Sequence, residues 1–181
     1  MSDSDRNEEP PQLHSLQIAE GGMQHYDFTI DGERVGYFEI EERPGELYMN
    51  ARMLIDGEQQ ENPFWVRHVD GWPTQVKAGA SKWHSVPSRT FPTCAYPLVL
   101  RSGLRRYRAL IEGTGEVEDR EIRNEDGLLV EYSGDRIVRK FGLHGGRIVY
   151  ICWGGTAESR LADSKAEAVR ATTFEASGTR T

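Results

Sequence analysis

An antiparallel β fold is what this sequence predicts: a single meander of about ten strands, curled into a half-barrel or open barrel, with one C-terminal helix. Three observations lead there. Asp-Gly pairs recur at Asp31-Gly32, Asp56-Gly57, Asp70-Gly71 and Asp126-Gly127. Gly takes positive φ freely and Asp tolerates it, so the pair suits the tight type I′ turn of a hairpin. Between the pairs, apolar residues recur with a period of two. Only residues 157–171 read as a helix.

The elements follow in order. Tyr26, Phe28 and Ile30 alternate with His25, Asp27 and Thr29, and Phe38 and Ile40 alternate with Glu39 and Glu41. Arg43-Pro44-Gly45-Glu46 makes the next turn. Leu47, Met49, Ala51, Met53 and Ile55 form a third strand, residues 59–69 a fourth and 72–78 a fifth. Residues 79–93 break the pattern with Pro87 and Pro92 and read as a long loop, a kind of segment that is often functional. Strands resume at 96–101, 104–112, 115–123, 128–132, 136–141 and 147–153. The last is apolar on both faces, so something must cover each side. Residues 157–171 are rich in Ala, Glu, Lys and Arg, strong helix formers, with Thr156 as N-cap. The acidic residues 1–12, ending in Pro10-Pro11, and residues 177–181 are expected to be loose tails of one β-rich domain at 13–176.

Charge limits the function. The chain of 181 residues has a net charge of −7. Residues 1–91 hold eight Lys and Arg against sixteen Asp and Glu, and residues 92–181 fourteen against thirteen. An acidic whole argues against a nucleic-acid partner, which needs a basic footprint. No run reaches the roughly 18 apolar residues of a membrane-spanning helix. The N-terminus lacks the apolar core of a secretory leader. Two cysteines, Cys94 and Cys152, without C-x-x-C spacing fit buried free thiols in a reducing cytoplasm.

Catalytic motifs are missing. No G-x-S-x-G elbow or P-loop is present, and Gly113-Thr114-Gly115 joins two strands where a phosphate cradle needs a following helix. His14, His25, His68, His84 and His144 fall in no metal-binding spacing, so neither a metal nor a cofactor is expected. His84, in the irregular loop, is the one acid/base candidate, and an exposed loop histidine is the simpler account of it. Glu39 with Glu41, and Glu116 with Glu118, have the i, i+2 spacing that puts carboxylates on one strand face about 7 Å apart. A solvated charged face explains both pairs without chemistry.

Aromatic residues are more suggestive. Trp65, Trp72, Trp83, Tyr132, Tyr150 and Trp153 are candidate walls for an apolar or amphipathic ligand on a concave sheet. Arg101 and Arg139 are candidate partners for its head group. Ordinary core packing accounts for any one of the aromatics.

Three stretches carry a family resemblance: WVRHVDGWPTQV at 65–76, FPTCAYPLVLRSGL at 91–104 and DGLLVEYSGDRIVRKF at 126–141. They resemble the glycolipid-binding protein family of bacteria, whose curved sheet is similar to that of lipoprotein carriers. The chain departs from that pattern at Thr93-Cys94-Ala95-Tyr96, where the family has a more polar linker, and in its C-terminal segment. The resemblance implies a curved sheet around an apolar cleft and no catalysis. The leading expectation is therefore non-enzymatic binding of a lipid-like or amphipathic small molecule. The alternatives are an enzyme using residues 79–93 with His84, and an interaction module or homodimer formed through the sheet.

Overall fold

A computed structural model describes residues 23–162. The expected tails at 1–12 and 177–181 lie outside the described residues. The strands are β1 (Met23–Ile30), β2 (Glu33–Arg43), β3 (Glu46–Ile55), β4 (Glu58–Val69), β5 (Trp72–Ala78), β6 (His84–Ser85), β7 (Thr90–Pro92), β8 (Arg106–Leu110), β9 (Val117–Glu125), β10 (Leu128–Ser133), β11 (Arg136–His144), β12 (Arg147–Trp153) and β13 (Ala157–Leu161). A 3-10 turn, Thr93–Ala95, leads into one short helix, α1 (Tyr96–Ser102). Among the described residues no helix is long and apolar enough to cross a membrane.

All thirteen strands join one sheet, more than the ten expected, in the order β6-β5-β4-β3-β2-β1-β13-β12-β11-β10-β9-β8-β7. Two meanders run outward from the centre, and β1 and β13 zip them together in antiparallel register from Tyr26↔Leu161 to Ile30↔Ala157. Every pairing is antiparallel except β7 with β8. The sheet is not closed, since its end strands β6 and β7 do not pair with each other. The two ends nonetheless approach: the Trp72 ring of β5 lies 5.1 Å from the Phe91 ring of β7.

The Asp-Gly turns form as the sequence requires. Asp31, Asp56, Asp70 and Asp126 have φ of 50–52° and the glycines after them 80–81°, the two positive values of a type I′ turn.

Residues 84–85 and 90–92, inside the segment read as a long loop, form β6 and β7, and two further elements differ from expectation. Residues 96–101, read as a strand, form α1. An apolar run of five, Tyr96 to Leu100, cannot be assigned to strand or helix by periodicity. The flanks decide it: Pro97 opens the helix, and Gly103, at φ 69°, closes it with its N–H on Leu100 O at 3.3 Å. Tyr96, Pro97, Leu98, Val99 and Leu100 are all buried, as a helix that is apolar all round must be. The second correction is the C-terminal helix. Residues 157–161 form β13 instead, because that segment fills the gap between β1 and β12 and satisfies the backbone of both. Its alternation then matters more than its propensity, with Ser159 fully buried and Glu158 and Arg160 facing outward beside Tyr150. The remainder of that expected helix, 163–171, lies outside the described residues.

One core connects both meanders and α1, from Tyr26, Ile40, Leu47 and Val66 through Leu98 and Leu100 to Phe141, Ile148 and Ile151. Cys94 and Cys152 are free and buried. On β12, Ile151 joins the core while Tyr150 and Cys152 share the opposite face.

Candidate functional site

A cleft of about 470 Å³ opens between the inner face of the central strands and the chain entering α1. Period-two alternation sends Phe28 of β1, Phe38 of β2, Met49 and Met53 of β3, and Phe64 of β4 into it. Trp153 of β12 completes the apolar wall, its ring 5.5 Å from Phe28 and 5.7 Å, edge-on, from Phe38. Thr93, Cys94, Tyr96, Glu112, Arg120 and Arg139 make the polar end.

Four neighbouring strands build the support beneath that polar end. Glu131 of β10 is fully buried and accepts hydrogen bonds from Arg139 of β11 (2.6 and 3.0 Å), Arg120 of β9 (2.7 Å) and the Tyr107 hydroxyl of β8. Burial alone would raise the Glu131 carboxyl, but the charge and hydrogen bonds of Arg139, with those of Tyr107 and Arg120, outweigh it and hold the group below its usual range. Arg139 also donates to Thr93 O at 2.6 Å, which ties the turn before α1 to the sheet. Glu112 takes the Thr93 hydroxyl and, at 2.7 Å, the Cys94 N–H. Burial first, and then the Glu112 carboxylate, push the Cys94 thiol well up, so it is protonated and inert as a nucleophile.

Tyr96 stands apart. It is 3% exposed, it lines the cleft, and its hydroxyl has no hydrogen-bond partner among the described residues. Its ring packs on Phe141 at 5.3 Å and under the Arg139 guanidinium at 4.9 Å. Burial pushes the hydroxyl well above its ordinary pKa, so it is a fixed proton donor. A buried hydroxyl without an acceptor costs on the order of 1–3 kcal/mol, which an acceptor entering the cleft would recover.

The residues singled out from sequence separate. Trp153 and Arg139 line the cleft. Trp65 packs against Tyr48 at 5.4 Å under Lys77, and Trp83 lies under Arg67 at 4.1 Å. Tyr132 donates to Glu125 at 2.8 Å and Tyr150 to Glu158 at 2.8 Å. Trp72 is 42% exposed at the seam between the sheet ends. None of these five lines the cleft. Arg101 is held in a two-pronged ion pair with Glu42 of β2, and Arg139 is matched by Glu131, so both cations expected to meet an anionic head are already neutralised. His84 sits exposed on β6. Of the carboxylate pairs, Glu39 lies 3.4 Å from His25, Glu41 bonds Arg43 at 2.8 Å, and Glu118 pairs with Arg120.

Phe28, Phe38, Phe64 and Glu131 were not among the site residues singled out from the sequence. The three phenylalanines lay on the apolar side of their alternations. Glu131 carried a signal of its own: a carboxylate inside the run Leu128–Ser133 must find a partner if that strand is buried.

Beside the Arg101–Glu42 pair lies His68, whose side chain is 10% exposed and whose ring nitrogens make no hydrogen bond. Burial lowers its pKa; Glu42, 4.0 Å away, pulls it up and Arg101 pushes it down, and the net shift is downward. The unfolded chain therefore binds this proton more readily than the folded one. The associated stability is complete above the unfolded value near pH 6.5 and is lost as the pH falls toward the folded value. The wild-type melting temperature should fall between pH 7 and pH 5, and His68→Gln should reduce that fall. Identical pH profiles for the two proteins would refute the assignment.

No protein-family model matches the sequence, and no curated protein matches it.

Proposed function

We propose that the protein binds a neutral, lipid-like or amphipathic small molecule in the cleft between the sheet and α1. The observation that carries this reading is an apolar cleft of about 470 Å³ with Tyr96 in its lining, a buried tyrosine whose hydroxyl has no hydrogen-bond partner among the described residues. That volume lies within the range of small-molecule sites, roughly 300–1,000 Å³. The ligand's apolar body lies against Phe28, Phe38, Phe64 and Trp153, and a carbonyl or hydroxyl oxygen accepts from Tyr96. A neutral head follows from charge: Arg139 is balanced by Glu131, and the Glu112 carboxylate beside it repels an anion. This differs from the anionic head for which Arg101 and Arg139 were singled out.

Titration with a monoacylglycerol of medium chain length, followed by tryptophan fluorescence, tests the reading. Saturable binding is expected, with the signal lost in Trp153→Phe. Affinity should fall at least about tenfold in Ala51→Phe, which fills the cleft, while circular dichroism shows the fold retained. Tyr96→Phe should weaken binding by about three- to tenfold, the value of one neutral hydrogen bond. Absence of saturation up to the solubility limit, together with bare protein in native mass spectra from its own host, would refute it.

A further inference from the structure

The seam where the two ends of the sheet approach holds a second concavity, a groove of about 890 Å³ that shares no lining residue with the cleft. It is lined by Pro73, Val86 and Leu104, by the exposed Trp72, and by Arg89, Arg106 and Arg108. One side of Trp72 is packed by Phe91, and 42% of the residue remains open.

Charge sets this groove apart. Arg106 and Arg108 lie two apart on β8 and so share a face, while the parallel pairing Thr90↔Arg108 brings Arg89 alongside. Arg106 has Glu121 at 3.8 Å, and Glu121 is already bonded to Arg123 at 2.9 Å. Asp119 stands opposite Arg108 across the strands without forming an ion pair. Arg89 and Arg108 make no ion pair or side-chain hydrogen bond among the described residues. Most other arginines among the described residues are matched by carboxylates. Arg89 is also held at φ 56°, a left-handed conformation that costs a non-glycine residue on the order of 1 kcal/mol. Glycine would occupy that position without strain, yet an arginine stands there.

We propose that the groove binds a phosphate ester, with the phosphate oxygens on the Arg89 and Arg108 guanidiniums and the ring or acyl body of the ester on the open face of Trp72. Guanidinium forks match phosphate geometry, and the indole supplies a flat apolar surface. A soluble phosphate monoester and a phospholipid head group share this chemistry.

The full chain is titrated with phenyl phosphate and with inorganic phosphate, and is separately sedimented with phosphatidylcholine vesicles with and without phosphatidic acid. Saturable shifts of the Trp72 indole and Arg108 Nε resonances by phenyl phosphate identify a soluble ester as the ligand. Co-sedimentation that depends on phosphatidic acid identifies a head group. Either result supports the proposal if Arg89→Gln/Arg108→Gln weakens it at least about tenfold. Arg89→Gly provides a second reading in which folding cannot be the cause: its melting temperature should be unchanged or higher, and its affinity about three- to tenfold lower. Absence of saturable binding to all probes, binding of inorganic phosphate without preference for phenyl phosphate, or binding unaffected by the arginine variants would overturn the proposal.

Discussion

Replacing Glu131 by Ala is expected to cost about 3–5 kcal/mol of folding stability, the usual loss when one member of a buried charge network is removed. The variant leaves the Arg139 and Arg120 guanidiniums, each about 5% exposed, without their shared carboxylate, and leaves the Tyr107 hydroxyl without its acceptor. Glu131→Gln keeps an acceptor oxygen and should lose less. The damage should reach the cleft, because Arg139 bonds both Glu131 and Thr93 O and so ties the segment before α1 to the sheet. Urea unfolding measures the first effect, and monoacylglycerol affinity of the folded Glu131→Gln protein the second. A loss below about 1 kcal/mol for Glu131→Ala would mean that the network is dispensable. The sign with pH is fixed by the lowered carboxyl: its stabilisation is complete above the unfolded value near 4.5 and disappears as the pH falls through the folded value. That window opens about two pH units below the one for His68, the unfolded values being near 4.5 and 6.5.

Gly36→Ala should be at least as damaging, with a loss on the order of 4 kcal/mol or failure to fold. A Cβ at this position would stand 1.8 Å from the Arg52 carbonyl oxygen and 2.9 Å from the Met53 Cα. Both are backbone atoms of β3, which cannot move aside without breaking the β2–β3 ladder at Gly36↔Met53. Gly36 also lies at the irregularity where the β1–β2 register shifts between Phe28 and Thr29, next to a cleft residue. Gly113→Ala is the control. It has open space around its Cβ position and no positive φ, so its unfolding midpoint in urea should move by less than about 1 kcal/mol equivalent. Similar midpoints for the two variants would show that β3 yields to the added methyl.

The first five strands were legible because each rests on a local pattern: two-residue alternation bounded by a turn with a required backbone conformation. The 79–93 segment was legible only as an interruption. It contains β6 and β7, the two ends of the sheet, and their short pairings carry no alternation that could be read. The site was half legible. Trp153 and Arg139 were found as a candidate wall aromatic and a candidate head-group cation, but their roles come from neighbours distant in sequence, Phe28 for one and Glu131 and Thr93 for the other. Trp65 and Tyr150 look identical to Trp153 in composition and alternate onto the opposite face.

By itself the sequence determined the Asp-Gly turns, strands β1 to β5 and β8 to β12 and the acidic charge, since φ, side-chain alternation and net charge belong to single residues or their immediate neighbours. Tertiary structure alone decided that β1 pairs with β13 and that 157–161 is a strand despite its helical composition. Backbone donors on two open strand edges, and the space left between them, outweigh a helix propensity worth only tenths of a kcal/mol per residue.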